Sequence, residues 1–275
     1  MPIDRAAVRN VRFAIDDERI PRWWHGGRRS LTTFFDNLSV FFPVGERFFI
    51  ASVRAHGHHV KDERLREDVN LFCGQEGMHG REHERYNELL RARGYPVDAM
   101  ERRIERILAR ATRLPRRLRL SATCALEHFT ALMAHFLLAD ERMLAGADET
   151  MAALWRWHAA EENEHKAVAY DVYLAAGGHW LERSIVMVFA SAIFWFKILE
   201  QQVRMMRVDG TASSIREWGA LARFLFVSPG GMRRVAGLYF QYFRPSFHPN
   251  DIDASALLDA WRRRHRDSPL VADAA

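Results

Sequence analysis

The chain has 275 residues, of which 48% are apolar, 12% aromatic and 27% charged. That composition excludes a disordered chain, a collagen-like repeat and a disulfide-stapled miniprotein, and it leaves ample material for a buried core. The 40 basic residues against 35 acidic ones give a formal charge of +5, and the two cysteines, Cys73 and Cys124, sit inside apolar helix-like stretches, which fits a reducing, cytoplasmic compartment.

Residues 1–20 hold Asp4, Arg5, Arg9, Arg12, Asp16 and Asp17 around no apolar centre, so no secretory signal is read there. Residues 30–42 form a first apolar, Phe-rich segment. Proline suits the first turn of a helix, so Pro43 marks the expected start of helix 1, which runs to about Gly57. Helix 2 is expected over 62–93, stopped by Gly94 and Pro96. An arginine-rich connector over 97–113 interleaves Ile104, Ile107 and Leu108, with Leu114 just beyond, the pattern of an amphipathic helix with a solvated basic face. Helix 3 is expected from Pro115 to about Leu144. Its stretch 120–139 is apolar apart from Glu127, His128 and His135, and a carboxylate in mid-run points to a buried bundle helix, not a membrane span.

Helix 4 is expected from Asp148, its N-cap, to Ala176, closed by Gly177 and Gly178. A fifth helix covers about 180–207, and its uncharged stretch 184–196 is short for a bilayer, at most interfacial. Shorter helices are expected around 213–226, 231–242 and 253–265, followed by a small-residue tail. Strand-like alternation is scarce and no linker between domains is visible. The expectation is an all-α chain forming a single domain over 1–275. Its body is an antiparallel four-helix bundle over about 43–177, with accessory helices over 180–265 and an extra N-terminal helix.

Two copies of E-x-x-H carry the chemistry: Glu76-Gly77-Met78-His79 in the middle of helix 2, and Glu162-Asn163-Glu164-His165 in helix 4. Residues three apart share a helix face, so each pair offers a carboxylate and an imidazole to one point. A four-helix two-metal site also needs one carboxylate from each remaining helix, and these are Glu46 and Glu127. In an antiparallel pair, residues at one height are equidistant from the turn. The midpoint of Glu46 and Glu76 is Lys61, in the polar stretch between helices 1 and 2, and that of Glu127 and Glu162 falls between Leu144 and Ala145, beside Gly146. Each arm is then about 15 to 17 residues, roughly 22 to 26 Å of helix.

Four carboxylates and two neutral imidazoles carry a charge that two divalent cations cancel; without cations, buried carboxylates repel one another or take up protons. Oxygen-rich donors without thiolate suit iron or manganese better than structural zinc, so two iron ions are expected, with manganese or zinc as alternatives. Gln75 and Glu161, just before each motif, are placed to hydrogen-bond the ligating imidazoles across the bundle. His83 and His158, each one turn from a ligand, read either as extra donors or as hydrogen-bonded bundle histidines, and His128 and His135 carry the same alternatives. His56, His58 and His59 lie some three turns from Glu46 and read as surface.

The order E…ExxH…E…ExxH resembles the ferritin-like di-iron carboxylate superfamily, which includes the ribonucleotide reductase small subunit, bacterial multicomponent monooxygenase hydroxylases and acyl-carrier-protein desaturases. The segments Phe41-Phe42-Pro43-Val44-Gly45-Glu46-Arg47-Phe48-Phe49, Gln75-Glu76-Gly77-Met78-His79 and Ala160-Glu161-Glu162-Asn163-Glu164-His165-Lys166 are similar to a bacterial family described as "predicted metal-dependent hydrolase". That likeness covers roughly residues 10–245. The family's label implies hydrolysis, whereas the ligand set is the one that O₂-activating members of the superfamily use. Neither E-x-x-H carries the preceding Asp and internal Arg of reductase subunits, and no tyrosine stands near Glu46 or Glu127 as a radical site, which argues against a reductase.

The leading expectation is an O₂-activating oxidoreductase acting on a small or hydrophobic organic substrate, with electrons from an external donor because no flavin or nicotinamide fingerprint is present. The alternative is a metal-dependent hydrolase, and a further alternative is non-enzymatic iron binding. The Phe-rich run 34–49 and the apolar 184–196 helix read as channel walls or as ordinary core. The arginine clusters 102–119 and 262–266 lack stacked aromatics or a reader motif, so nucleic acid is not an expected partner. A homodimer and a peripheral membrane contact are allowed by the pattern.

Overall fold

The computed structural model describes residues 7–16 and 18–265; the start of the chain, residue 17, and the stretch from Arg266 through the small-residue tail lie outside the described residues. The architecture is all-helical, with no strand among the described residues. Helix α1 spans Arg29–Arg54, α2 Glu63–Ala92, α3 Val97–Ala111, α4 Arg116–Ala139, α5 Glu149–His165 and α6 Val168–Ala175. Then follow α7 (Trp180–Val208), α8 (Ile215–Phe226), α9 (Gly231–Gln241) and α10 (Ser255–Arg264).

Three boundaries differ from the sequence reading. Helix 3, expected to run to about Leu144, ends as α4 at Ala139, because Asp140 is extended and its carboxylate caps a separate 3-10 turn over Glu141–Leu144. The segment 30–42, expected as a separate N-terminal element, is the first half of α1, which runs straight through Pro43. Proline removes one backbone donor, so the Ser39 carbonyl loses its partner four residues on. The Asn87 side-chain amide approaches that carbonyl at 3.4 Å instead, and both faces of α1 are buried in apolar contacts that hold the helix on course. The expected helix 4 is interrupted at Lys166–Ala167, directly after His165, where the Lys166 ammonium reaches the Ile252 carbonyl. Elsewhere the capping chemistry fixes the ends: the Asp62 carboxylate accepts from Leu65 N, and that of Asp148 from the Thr150 and Met151 N–H groups.

α1 and α2 run antiparallel. Asp36 meets Tyr86 and Ser39 meets His83, so ascending one helix descends the other. In α4 and α5–α6, Cys124 meets Ala169 while Glu127 lies near His165. The apolar core divides into two regions, one on each side of a polar layer. One holds Phe34, Phe35, Tyr86, Leu90, Leu137 and Trp155. The other holds Phe48, Phe72, Leu120, Phe129, Val172 and Tyr173. Glu46, Glu76, His79, Glu127, Glu162 and His165 occupy the layer between them, all buried.

Residues 7–16 form a strap over α2 and α5 in non-helical backbone. Gly74 admits it, since a Cβ there would come within 2.5 Å of the Val8 side chain. By length and composition α4 and α7 are each apolar enough to cross a membrane; 61% of the apolar window of α4 is buried against 22% for α7. α4 is therefore a core helix. α7 extends well beyond 184–196, so shortness does not argue against a span there, and Phe189 and Phe196 on its outer face are more than 60% exposed.

Candidate metal centre

Each chemistry-bearing side chain is brought to the layer by its own helix. α1 supplies Glu46, α2 supplies Glu76 and His79, α4 supplies Glu127, and α5 supplies Glu162 and His165. His165 Nε2 lies 3.0 Å from Glu76 Oε1, 3.7 Å from Glu127 Oε2 and 3.8 Å from Glu162 Oε2. His79 Nδ1 lies 3.8 Å from Glu162 Oε1. Three groupings offer one donor atom each within 4.8 Å of one another: Glu46, His79 and His158; Glu76, Glu127 and His165; Glu76, His79 and Glu162. The structure thus gathers all six side chains that the spacing singles out, and adds His158.

The surroundings orient the imidazoles. Gln75 Nε2 donates to the Ala7 carbonyl and to Glu164 Oε2, which turns Gln75 Oε1 toward His165 Nδ1 at 3.0 Å. His165 Nδ1 therefore donates to Gln75, and its Nε2 is turned toward the carboxylates. Glu161 Oε2 lies 3.1 Å from His79 Nε2, while its other oxygen accepts from Arg9 and from the Trp157 indole. Position 75 and position 161 thus sit against the imidazole of the opposite motif. His83 stands one layer back, between Ser39 and His158.

The electrostatics of this layer are costly as they stand. Burial, followed by the fields of neighbouring carboxylates, pushes the carboxyl groups of Glu46, Glu76 and Glu127 well above the usual range. Burial likewise holds the imidazoles of His79 and His83 well below theirs, hence neutral. Among the described residues, both oxygens of Glu46, Glu76 and Glu127 and the inward nitrogen of His165 lack a hydrogen-bond partner. Buried polar atoms are nearly always paired, so a run of unpaired carboxyl oxygens facing imidazole nitrogens is the donor set of a cation site. The residues present fit divalent metal ions.

Several contributors escaped the sequence reading. Arg9, 4% exposed, bridges Glu161 and Glu164 at 3.0 and 2.8 Å from the strap, which no helical pattern announces. Arg262, in the C-terminal arginine cluster, turns inward to Glu164 at 2.9 Å. A Cβ at Gly80 would lie 2.9 Å from Glu46 Oε2, so glycine there makes room for that carboxylate; its place beside His79 was the available signal. Asp36, buried between Trp24 and Tyr86, is pushed up to about 7 by burial but sits apart from the layer. His128 turns away to pack on Tyr242 and Phe247, and His135 is half-buried outside the cluster. His56, expected at the surface, is buried with Nδ1 on the Ser52 carbonyl, because the chain folds back over it after α1.

An apolar cleft of about 70 Å³ ends on Glu162 and His158, walled by Phe34, Phe42, Met133, Trp155 and, from α8 and α9, Phe224 and Met232. A second cleft of about 160 Å³, between α1, α3, α4 and α7, shares Leu38, Phe42, Thr130 and Met133 with the first. The segment 34–49 thus serves both as core and as cleft wall, while 184–196 lines the second cleft through Ala190, Ile193 and Phe194 and is otherwise largely exposed.

No curated protein and no solved structure matches this chain. The family described as "Predicted metal-dependent hydrolase" matches residues 7–253. That description favours the hydrolytic alternative over the oxidative expectation. With the match covering nearly the whole chain and buried Glu/His clusters able to hold a metal ion, the chain belongs to the predicted metal-dependent hydrolase family.

Proposed function

We propose that the protein is a two-metal hydrolase of ferritin-like architecture, acting on an ester or related acyl substrate with an apolar body. Glu46, Glu76, His79, Glu127, Glu162 and His165 would hold the metal pair. The observation that carries this reading is the layer of buried, unpaired carboxyl oxygens facing imidazole nitrogens, in a chain whose family description names metal-dependent hydrolysis. When bound, divalent ions supply Lewis acidity toward a carbonyl or phosphoryl oxygen and make water a competent nucleophile near neutral pH. The chain's own residues do the rest. The cleft lined by Phe34, Phe42, Trp155 and Met232 takes the apolar body and excludes bulk water. Among the described residues Glu162 and His158 are the only ionisable groups on its wall, so the polar end of the substrate would meet the metal layer there.

A second reading, O₂-dependent oxidation with iron and an external electron donor, is favoured by the donor set itself: carboxylates and imidazoles without thiolate suit iron. One experiment separates the two. Protein loaded with manganese or zinc is given p-nitrophenyl esters of graded acyl length without oxygen, and iron-loaded protein is given reductant and oxygen. Metal-dependent ester cleavage without O₂ supports hydrolysis, and the variant Met232→Trp should then raise KM about tenfold for long acyl chains while leaving short ones unaffected. Iron-dependent O₂ uptake without hydrolysis supports the second reading. Neither activity, in fully loaded protein, overturns both.

A further inference from the structure

A buried chain of hydrogen bonds runs from the protein surface to the metal layer, and it fixes where each proton sits. Glu101, paired with Arg91 at 2.7 Å, accepts from Asn87 Nδ2 at 3.1 Å. This orients the Asn87 amide, because the opposite orientation would set two oxygens against each other. Asn87 Oδ1 therefore faces Ser39, whose hydroxyl donates to it at 2.9 Å. A serine hydroxyl has one hydrogen, so at its 2.9 Å contact with His83 Nδ1 it must accept. His83 then carries its proton on Nδ1. His83 is buried and neutral, which leaves Nε2 as the acceptor toward His158 Nδ1 at 2.8 Å. His158 in turn holds its proton on Nδ1.

The consequence falls at the far end. With its Nδ1 committed to His83, His158 turns Nε2 to Glu162 Oε1 at 3.0 Å. Adjacent donors around an ion with bonds of roughly 2.1 Å are themselves about 3.0 Å apart. Glu46 and His79 bring further donor atoms within 4.8 Å of His158 and of each other, and the His79 and His158 rings stack at 4.1 Å. A lone proton shared by His158 and Glu162 would leave the Glu46 oxygens unpaired.

We infer that His158 is a seventh donor, joining Glu46 and His79 around one ion, so that the two metals are inequivalent: one has two imidazoles, the other has His165 alone. The inference rests on the two-metal reading and goes beyond it. On α5 the donor pattern becomes H-x₃-E-x₂-H, His158, Glu162 and His165 lining one face. Ser39, His83 and Asn87 are positioning residues that hold the His158 tautomer.

The test uses the full-length chain with cobalt(II) as the probe. Each coordinated imidazole with a buried N–H gives one exchangeable, strongly shifted proton resonance. The parent should show three such signals and His158→Gln two, with cobalt affinity lower in the variant. Ser39→Ala frees the His83 tautomer while leaving every donor in place, and should weaken cobalt binding about 10- to 100-fold. Two signals in the parent, with unchanged affinity in Ser39→Ala, overturn the inference but leave the six-donor site standing. Failure of the parent to bind cobalt overturns both.

Discussion

Gln75 Oε1 lies 3.0 Å from His165 Nδ1, joining α2 to α5. Because the Gln75 amide nitrogen is committed to Ala7 and Glu164, the contact has one polarity, and Nε2 of the imidazole is turned toward the carboxylates. Gln75→Leu removes the acceptor and releases the ring. Metal affinity should fall about 10- to 100-fold, read by competition with a chelator. Equal affinities in parent and Gln75→Leu would show that the ring is held by something else.

Gly80 permits the approach of Glu46. A Cβ at this position would press within 2.9 Å of Glu46 Oε2, while alanine is the better helix former by up to about 1 kcal/mol. Gly80→Ala should therefore keep or raise the thermal stability of the metal-free protein and lower its metal affinity. Calorimetry with and without manganese reads both effects, and unchanged metal binding would contradict the packing argument.

The strap is tied down through charge. Arg9 and its partners Glu161 and Glu164 are all at most 4% exposed, and removing one member of a buried ionic cluster leaves the others unpaired. Arg9→Met should cost about 3 to 5 kcal/mol in chemical denaturation. A loss below about 1 kcal/mol, the level of a surface pair, would mean that water replaces the guanidinium.

The buried acids and buried histidines act on stability in opposite pH ranges. Burial against the pull of Arg9 lifts Glu161 to about 8 and burial lifts Asp36 to about 7, with Glu46, Glu76 and Glu127 also raised. Unfolded carboxyls release protons near pH 4, so between there and about pH 8 the folded state binds more protons and the acids make stability fall as pH rises. His25, lowered to about 4, and His128, lowered to about 3, both by burial, act the other way, but only below the unfolded histidine value near 6.5. Above about pH 6.5 the raised acids dominate until about pH 8, where Lys166, lowered to about 8 by burial, begins to act the other way. The metal-free protein should lose stability from about pH 6.5 to 8, and the stabilisation added by manganese should grow over the same range, because the ionised carboxylate is the liganding form. Melting temperatures with and without manganese check this; a flat difference would count against it.

Much of the fold was legible because helices leave strong local marks. The Asp62 and Asp148 caps and the Gly94 and Gly177 stops set boundaries that a single sequence carries. The four helices that bring Glu46, Glu76, Glu127 and Glu162 together follow from spacing and turn position, since antiparallel hairpins fix height by counting. What escaped was non-local. Pro43 reads locally as a helix start, yet α1 continues because packing along the helix outweighs one lost hydrogen bond. Arg9 and Arg262 reach Glu164 from stretches far apart in sequence, and no periodicity encodes such a contact. His158 was visible only as one of two readings; its choice depends on an amide, a hydroxyl and a second imidazole on two other helices.

The most direct test of the central claim is elemental analysis of protein purified from cells supplied with iron and manganese, alongside Glu127→Ala. Glu127 is the one carboxylate in the apolar centre of α4. The account predicts about two metal ions per chain in the parent and a clear loss in the variant, with helical content retained. A parent free of metal, or a variant that keeps its full complement, would contradict it.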